Sequence, residues 1–159
     1  GGLVQASIVS PELVRERQFV FSLFGGSKRK GPWTPARHVI CINILGGMQL
    51  DFREARLGPG VTEVSVFTKL GGVDIIVPPG LQVDFDGAGI LGSFDVSEEV
   101  TPVEDPSAPI LRVNGVAILC GADVIVRQPG ESAREARRRR RALRRERKRE
   151  RKRLRRGLD

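Results

Sequence analysis

The chain has 159 residues, 40% of them hydrophobic and 29% charged, with a net charge of +8. That length supports one domain with its own core, and two cysteines are too few for a disulfide framework. No apolar run reaches membrane-helix length, and the opening Gly1-Gly2 carries no signal-peptide pattern.

Taken in chain order, residues 1–19 read as a lead-in. Ser10-Pro11-Glu12 predicts a short helix there, with serine as N-cap and proline at the first helical position. Residues 20–130 read as the folded body. Within it, five units align on a bulky apolar residue followed by small ones: Phe24-Gly25-Gly26, Leu45-Gly46-Gly47, Leu70-Gly71-Gly72, Leu91-Gly92-Ser93 and Leu119-Cys120-Gly121. Each small pair is read as a repeat turn, because glycine inside a strand pattern marks a bend or a close backbone approach. The last step between units is the longest, and DPSAP at 105–109 fills it as a loop.

Pro59-Gly60 and Pro79-Gly80 add turns, since proline presets φ and glycine supplies a positive one. Between the turns, VTEVSVFTKL and LQVDFD alternate apolar and polar residues, the signature of strands. A period of 20–28 residues predicts an all-β body, a parallel β-solenoid or β-helix of about five rungs. An antiparallel sandwich is the weaker alternative.

Site chemistry is sparse. Gly87-Ala88-Gly89-Ile90-Leu91-Gly92 spells G-x-G-x-x-G, but a strand-like SFDV follows where a dinucleotide site needs a helix. Asp84-Phe85-Asp86-Gly87 lacks the further oxygen ligands of a calcium loop. Asp51, Glu54, Asp74, Asp95 and Asp123 recur after the kinks and read as a solvent-facing acidic edge. His38 is the only histidine, and no nucleophile elbow accompanies it. Lys28-Arg29-Lys30-Gly31 reads as a solvated turn, and Trp33 as a cap on the open end of the core. Cys41 and Cys120 lie in apolar runs and read as reduced and buried, in a cytoplasmic protein. The reading is non-catalytic, with no cofactor and no metal.

After Pro129-Gly130 the composition changes. Residues 131–159 hold 16 of the 27 basic residues and 5 of the 19 acidic ones, so the tail carries +11 and the rest −3. Its residues are good helix formers, and Glu131, Ser132 and Glu135 suit a helix start. The expected anion-binding residues are Arg137, Arg138, Arg139, Arg140, Arg141, Arg144, Arg145, Arg147, Lys148, Arg149, Arg151, Lys152 and Arg153. An anionic membrane surface, an acidic protein or nucleic acid would each answer to such charge. The tail has no aromatic residue on which bases could stack.

The stretch LGGMQLDFREARLGPGVTEVSVFTKLGGVDIIVPPGLQVDFDGAGILGSFDV resembles the C-terminal domain of the bacterial cell-wall-active-antibiotics response (LiaF/VraT-like) family. It also resembles the related toast-rack domains. The resemblance rests on the repeated apolar-Gly-Gly/Asp units and on Ile75-Ile76-Val77-Pro78, and covers about residues 20–127. It implies a parallel β-solenoid-like fold and a regulatory role in the cell-envelope stress response, in some members through a membrane sensor kinase. Sequence and resemblance together predict a non-catalytic regulatory or scaffold domain, cytoplasmic and membrane-associated. The alternatives are a self-assembling solenoid scaffold, hence a homo-oligomer, and a nucleic-acid-binding adaptor acting through the tail.

Overall fold

The computed structural model describes residues 7–23 and 25–157. It divides into two compact units, residues 1–126 and residues 127–159.

The first unit is built from twelve strands: β1 (Ser7–Ile8), β2 (Arg17–Ser22), β3 (Gly25–Arg29), β4 (His38–Ile44), β5 (Gly46–Asp51), β6 (Arg56–Leu57), β7 (Val61–Lys69), β8 (Gly72–Val77), β9 (Gln82–Ile90), β10 (Ser93–Val96), β11 (Ile110–Ile118) and β12 (Gly121–Val126). The lead-in contributes β1 and a 3-10 turn at Pro11–Leu13, where the short helix was expected. The two-residue strands β1 and β6 pair with each other. The other ten form two five-stranded sheets. The first sheet runs β2-β4-β7-β11-β9 and the second runs β3-β5-β8-β12-β10. Every pairing among the named strands is parallel, which removes the antiparallel sandwich.

The expected all-β solenoid, or parallel β-helix, is corrected by this topology. The described chain is two five-stranded parallel sheets plus one C-terminal helix, an α/β composition, and its repeats do not stack in chain order. β11 lies between β7 and β9, and β12 between β8 and β10, so the fifth unit is inserted between the third and the fourth. Composition explains the exchange. An inner strand needs packing residues on both faces, and β11 supplies Leu111, Val113 and Ala117 inward with Val116 outward. The second half of β9 is Asp86-Gly87-Ala88-Gly89, which packs little and suits an edge.

The segment leading into β11 is held by Gln82. Its amide donates to the carbonyls of Asp105 (2.8 Å) and Pro109 (3.4 Å), while its oxygen accepts from the amides of Glu104 (2.8 Å) and Asp105 (2.7 Å). That segment is the loop expected at 105–109.

The core lies between the sheets. Val20, Val39, Cys41, Val64, Val66 and Val113 face inward from the first sheet, and Met48, Leu50, Val73, Ile75 and Val124 from the second. Each such side chain adds about 1.5–3 kcal/mol on burial. Trp33 packs on Phe52 with ring centroids 5.1 Å apart and donates its indole N–H to the Asp51 carbonyl at 2.8 Å. Trp33 is thus partly buried against the core. Gly87 has no side chain because the rings of Phe85 and Phe94, 5.2 Å apart, fill the space a Cβ would need.

The second unit contains α1 (Ala133–Gly157), a 25-residue helix.

Candidate functional site

Three features of the described residues bear on function: the helix α1, the corners between the sheets, and the outer face of each sheet.

Ser132 immediately precedes α1. Its hydroxyl accepts from the Glu135 amide and donates to the Glu135 carboxylate, both at 3.2 Å, which caps the first turn. Glu131 accepts from Arg139 Nε and Nη2, each at 3.2 Å. Partial burial raises the Glu131 carboxyl, but its bonds from Arg139 and the Gln128 amide outweigh this and hold it below its ordinary value. Arg140 donates to the Ala136 carbonyl at 3.3 Å. Arg139 and Arg140 are therefore half-buried and tied to their own unit, whereas the other eleven expected anion-binding residues are exposed. Ala136, Leu143 and Leu154 stand 7 and 11 residues apart. At 3.6 residues per turn they fall on one narrow line of an otherwise basic helix. No described helix is long and apolar enough to cross a membrane.

The corners revise the reading of the repeat. The left-handed residue is the leucine ahead of each small pair: Leu45, Leu70, Leu91 and Leu119 have φ of 57°, 55°, 51° and 54°. A non-glycine residue there costs roughly 1–2 kcal/mol. Cross-strand hydrogen bonds help hold the geometry: Leu45 donates to Lys69, Leu70 to Ile118 and Leu119 to Ile90, at 3.0–3.2 Å. All four leucines are exposed. The glycines serve the neighbouring layer. A Cβ on Gly71 would strike the Gly46 backbone, and one on Gly92 the Cys120 backbone, while one on Gly47 would meet nothing within 4 Å. Of the remaining expected turn residues, Gly25, Gly26, Gly46, Gly72, Ser93 and Gly121 open the strands of the second sheet and pair with one another. Cys120 reaches back to the Thr68 carbonyl at 3.4 Å. Phe24 lies outside the described residues.

His38 belongs to a polar network that the sequence did not reveal. Its Nε2 is 2.8 Å from Ser65 Oγ, Ser65 donates to Asn114 Oδ1 at 2.8 Å, and Asn114 donates to Glu63 Oε1 at 2.8 Å. β4, β7 and β11 bring these residues onto the outer face of the first sheet. The alternation of β7 and β11 puts Glu63, Ser65 and Asn114 on one face, but their adjacency depends on strand order. The serine proton points to Asn114, away from the imidazole, so the pair is a register lock and lacks the geometry of an activated nucleophile.

The rest of that face is mixed, with Arg17, Arg112 and Asp84 at one end and apolar residues towards the other. One register row reads Phe21, Ile42, Phe67, Val116, Ala88 across the sheet. The outer face of the second sheet carries Gln49, Asp74, Asp123 and Asp95 in register. Three of the five acids expected along an edge are thus neighbours; Asp51 instead accepts from Arg53 at 2.8 Å. Among the described residues, no group of three or more His, Cys, Asp or Glu is placed to hold a metal ion. Buried Cys41 is a core residue whose thiol burial pushes up to about 12, against a smaller opposing pull from Arg29. Gly87–Gly92 runs through the end of β9 into a corner, which gives G-x-G-x-x-G no helix.

Among known proteins, the chain is 27% identical over 110 residues to uncharacterized protein MT0994 of Mycobacterium tuberculosis (strain CDC 1551 / Oshkosh). It is 26% identical over 110 residues to uncharacterized protein Rv0966c of Mycobacterium tuberculosis (strain ATCC 25618 / H37Rv). Both matches cover 69% of this chain and 54% of the relative, so the chain spans about half the length of the curated relatives it matches. No family model matches, and no solved structure matches. Neither relative's name carries a stress-response or membrane term.

Proposed function

We propose that the chain is a non-catalytic scaffold module whose basic helix binds an anionic lipid surface at the cytoplasmic membrane face. The carrying observation is α1 itself, with 16 basic and 3 acidic residues in 25 positions. Each basic residue near an anionic leaflet contributes about 1 kcal/mol. Ala136 is buried, so the exposed apolar contacts are Leu143 and Leu154 on one line of the helix, with arginines on both sides free to reach headgroups. Base stacking has no aromatic partner on α1, so nucleic acid would be held by phosphate charge alone. A regulatory role in the envelope stress response, in some members through a membrane sensor kinase, rests on the family resemblance of the sequence.

The test is co-sedimentation with anionic and neutral vesicles across a salt series, with duplex DNA as competitor. Binding to anionic vesicles that survives the competitor and weakens with salt is expected. Binding lost to DNA overturns the lipid reading in favour of a nucleic-acid adaptor.

A further inference from the structure

We infer that the outer face of the first sheet docks a second copy of this chain, face to face about a two-fold axis along β7. The face carries open aromatic side chains: Phe19, Phe21 and Phe67 are 64%, 58% and 42% exposed. β7 is the middle strand of five, so this axis lays β2 of one copy over β9 of the other and keeps each register row opposite itself, reversed.

Two of those rows complement their own reversal, whereas a third lays Phe19 over Asp86 and the last brings Lys69 against Lys69. In the apolar row the bulky end, Phe21, meets the small end, Ala88, with the two Phe67 side chains together at the axis. In the charged row Arg17, His38, Glu63, Arg112, Asp84, the cationic end meets the anionic end. The Glu63 pair near the axis is flanked by Arg112 from both copies. A lipid surface would need neither the size gradient nor the charge gradient.

Five strands at about 4.8 Å and seven residues at about 3.3 Å give a footprint of roughly 550 Å² per copy. The pair then buries about 1,100 Å², the lower end of specific interfaces, and a dissociation constant on the order of 10 µM is expected.

Sedimentation equilibrium of the full chain over roughly 1–200 µM, in about 0.5 M salt to screen α1, tests this. A monomer–dimer equilibrium is expected, lost in Phe67→Lys with an unchanged far-UV spectrum and thermal midpoint. Should Phe67→Lys misfold, Phe21→Lys on the edge strand asks the same question. Compared at about 0.1 M salt, where exposed charges still act, Arg17→Asp should weaken the dimer about tenfold, and Arg17→Asp with Asp84→Arg should recover most of that loss. Asp84 also meets Arg112 at 3.2 Å, but both are exposed. A chain monomeric throughout, a dimer that survives both lysine variants, or a charge exchange that restores nothing overturns the inference. So does a monomer whose anionic-vesicle binding is abolished by Phe67→Lys, since the occupant would then be lipid.

Discussion

The two sheets share one backbone plan and differ in what they show outward. Both are five parallel strands, in matching order, joined through the same leucine corners. Yet the first presents Phe19, Phe21 and Phe67, and the second Gln49, Asp74, Asp95 and Asp123. Inward faces must be apolar to make a core, so they say little about function. An outward face is free of that demand, and solubility favours the polar choice. The exposed aromatic residues on one face alone are therefore the informative choice.

The corners that both sheets share give the largest expected effect. Gly71→Ala should abolish cooperative folding or cost more than about 4 kcal/mol, because its Cβ collides with the Gly46 backbone. Gly47→Ala, in the same motif, should stay within about 1 kcal/mol, since its Cβ meets open space. Urea melts of both variants make the comparison, and equal losses would show that the glycines are not doing different jobs.

Gln82→Leu comes next. It leaves two amides and two carbonyls without the partner that holds the 104–109 segment, at an expected cost of about 2–4 kcal/mol. Because that segment precedes β11, hydrogen exchange should speed up in β11 and β9 before β2 and β4.

Cys41 links the core to pH. Unfolded, its thiol ionises near 9.0; folded, it keeps its proton until about 12. The unfolded state loses the proton first, so this contribution is complete below the unfolded value and is lost as pH rises from about 9 to about 12. Denaturant midpoints at pH 8 and about 10.5 should fall by an amount on the order of 2 kcal/mol, and Cys41→Ala should reduce that drop. Under native conditions a thiol reagent should label Cys120 before the fully buried Cys41.

The smallest effect concerns the acidic face. Asp74 lies in register beside Asp123, so Asp74→Asn should stabilise by roughly 0.2–0.5 kcal/mol at low salt. The gain should shrink in high salt, as screened repulsion does. A loss instead would mean that the aspartates are held by groups that favour their charge.

By itself the sequence determined the local pieces. Period-two alternation fixed the strands, Pro-Gly and Leu-Gly-Gly fixed the bends, and the composition break after Gly130 fixed a basic helix, all because each depends on neighbours a few residues away. Tertiary structure decided the rest. Five similar units can stack in more than one order, and the choice of β11 over β9 for an inner place depends on packing two faces at once. The left-handed leucines were invisible, since glycine looked the natural carrier of a positive φ until the stacked backbones showed what it was there for. The His38–Ser65–Asn114–Glu63 network and the apolar row of the first sheet join residues distant in sequence, the Asn114–Glu63 bond alone spanning 51 positions. Such sites exist only once parallel register brings those positions side by side.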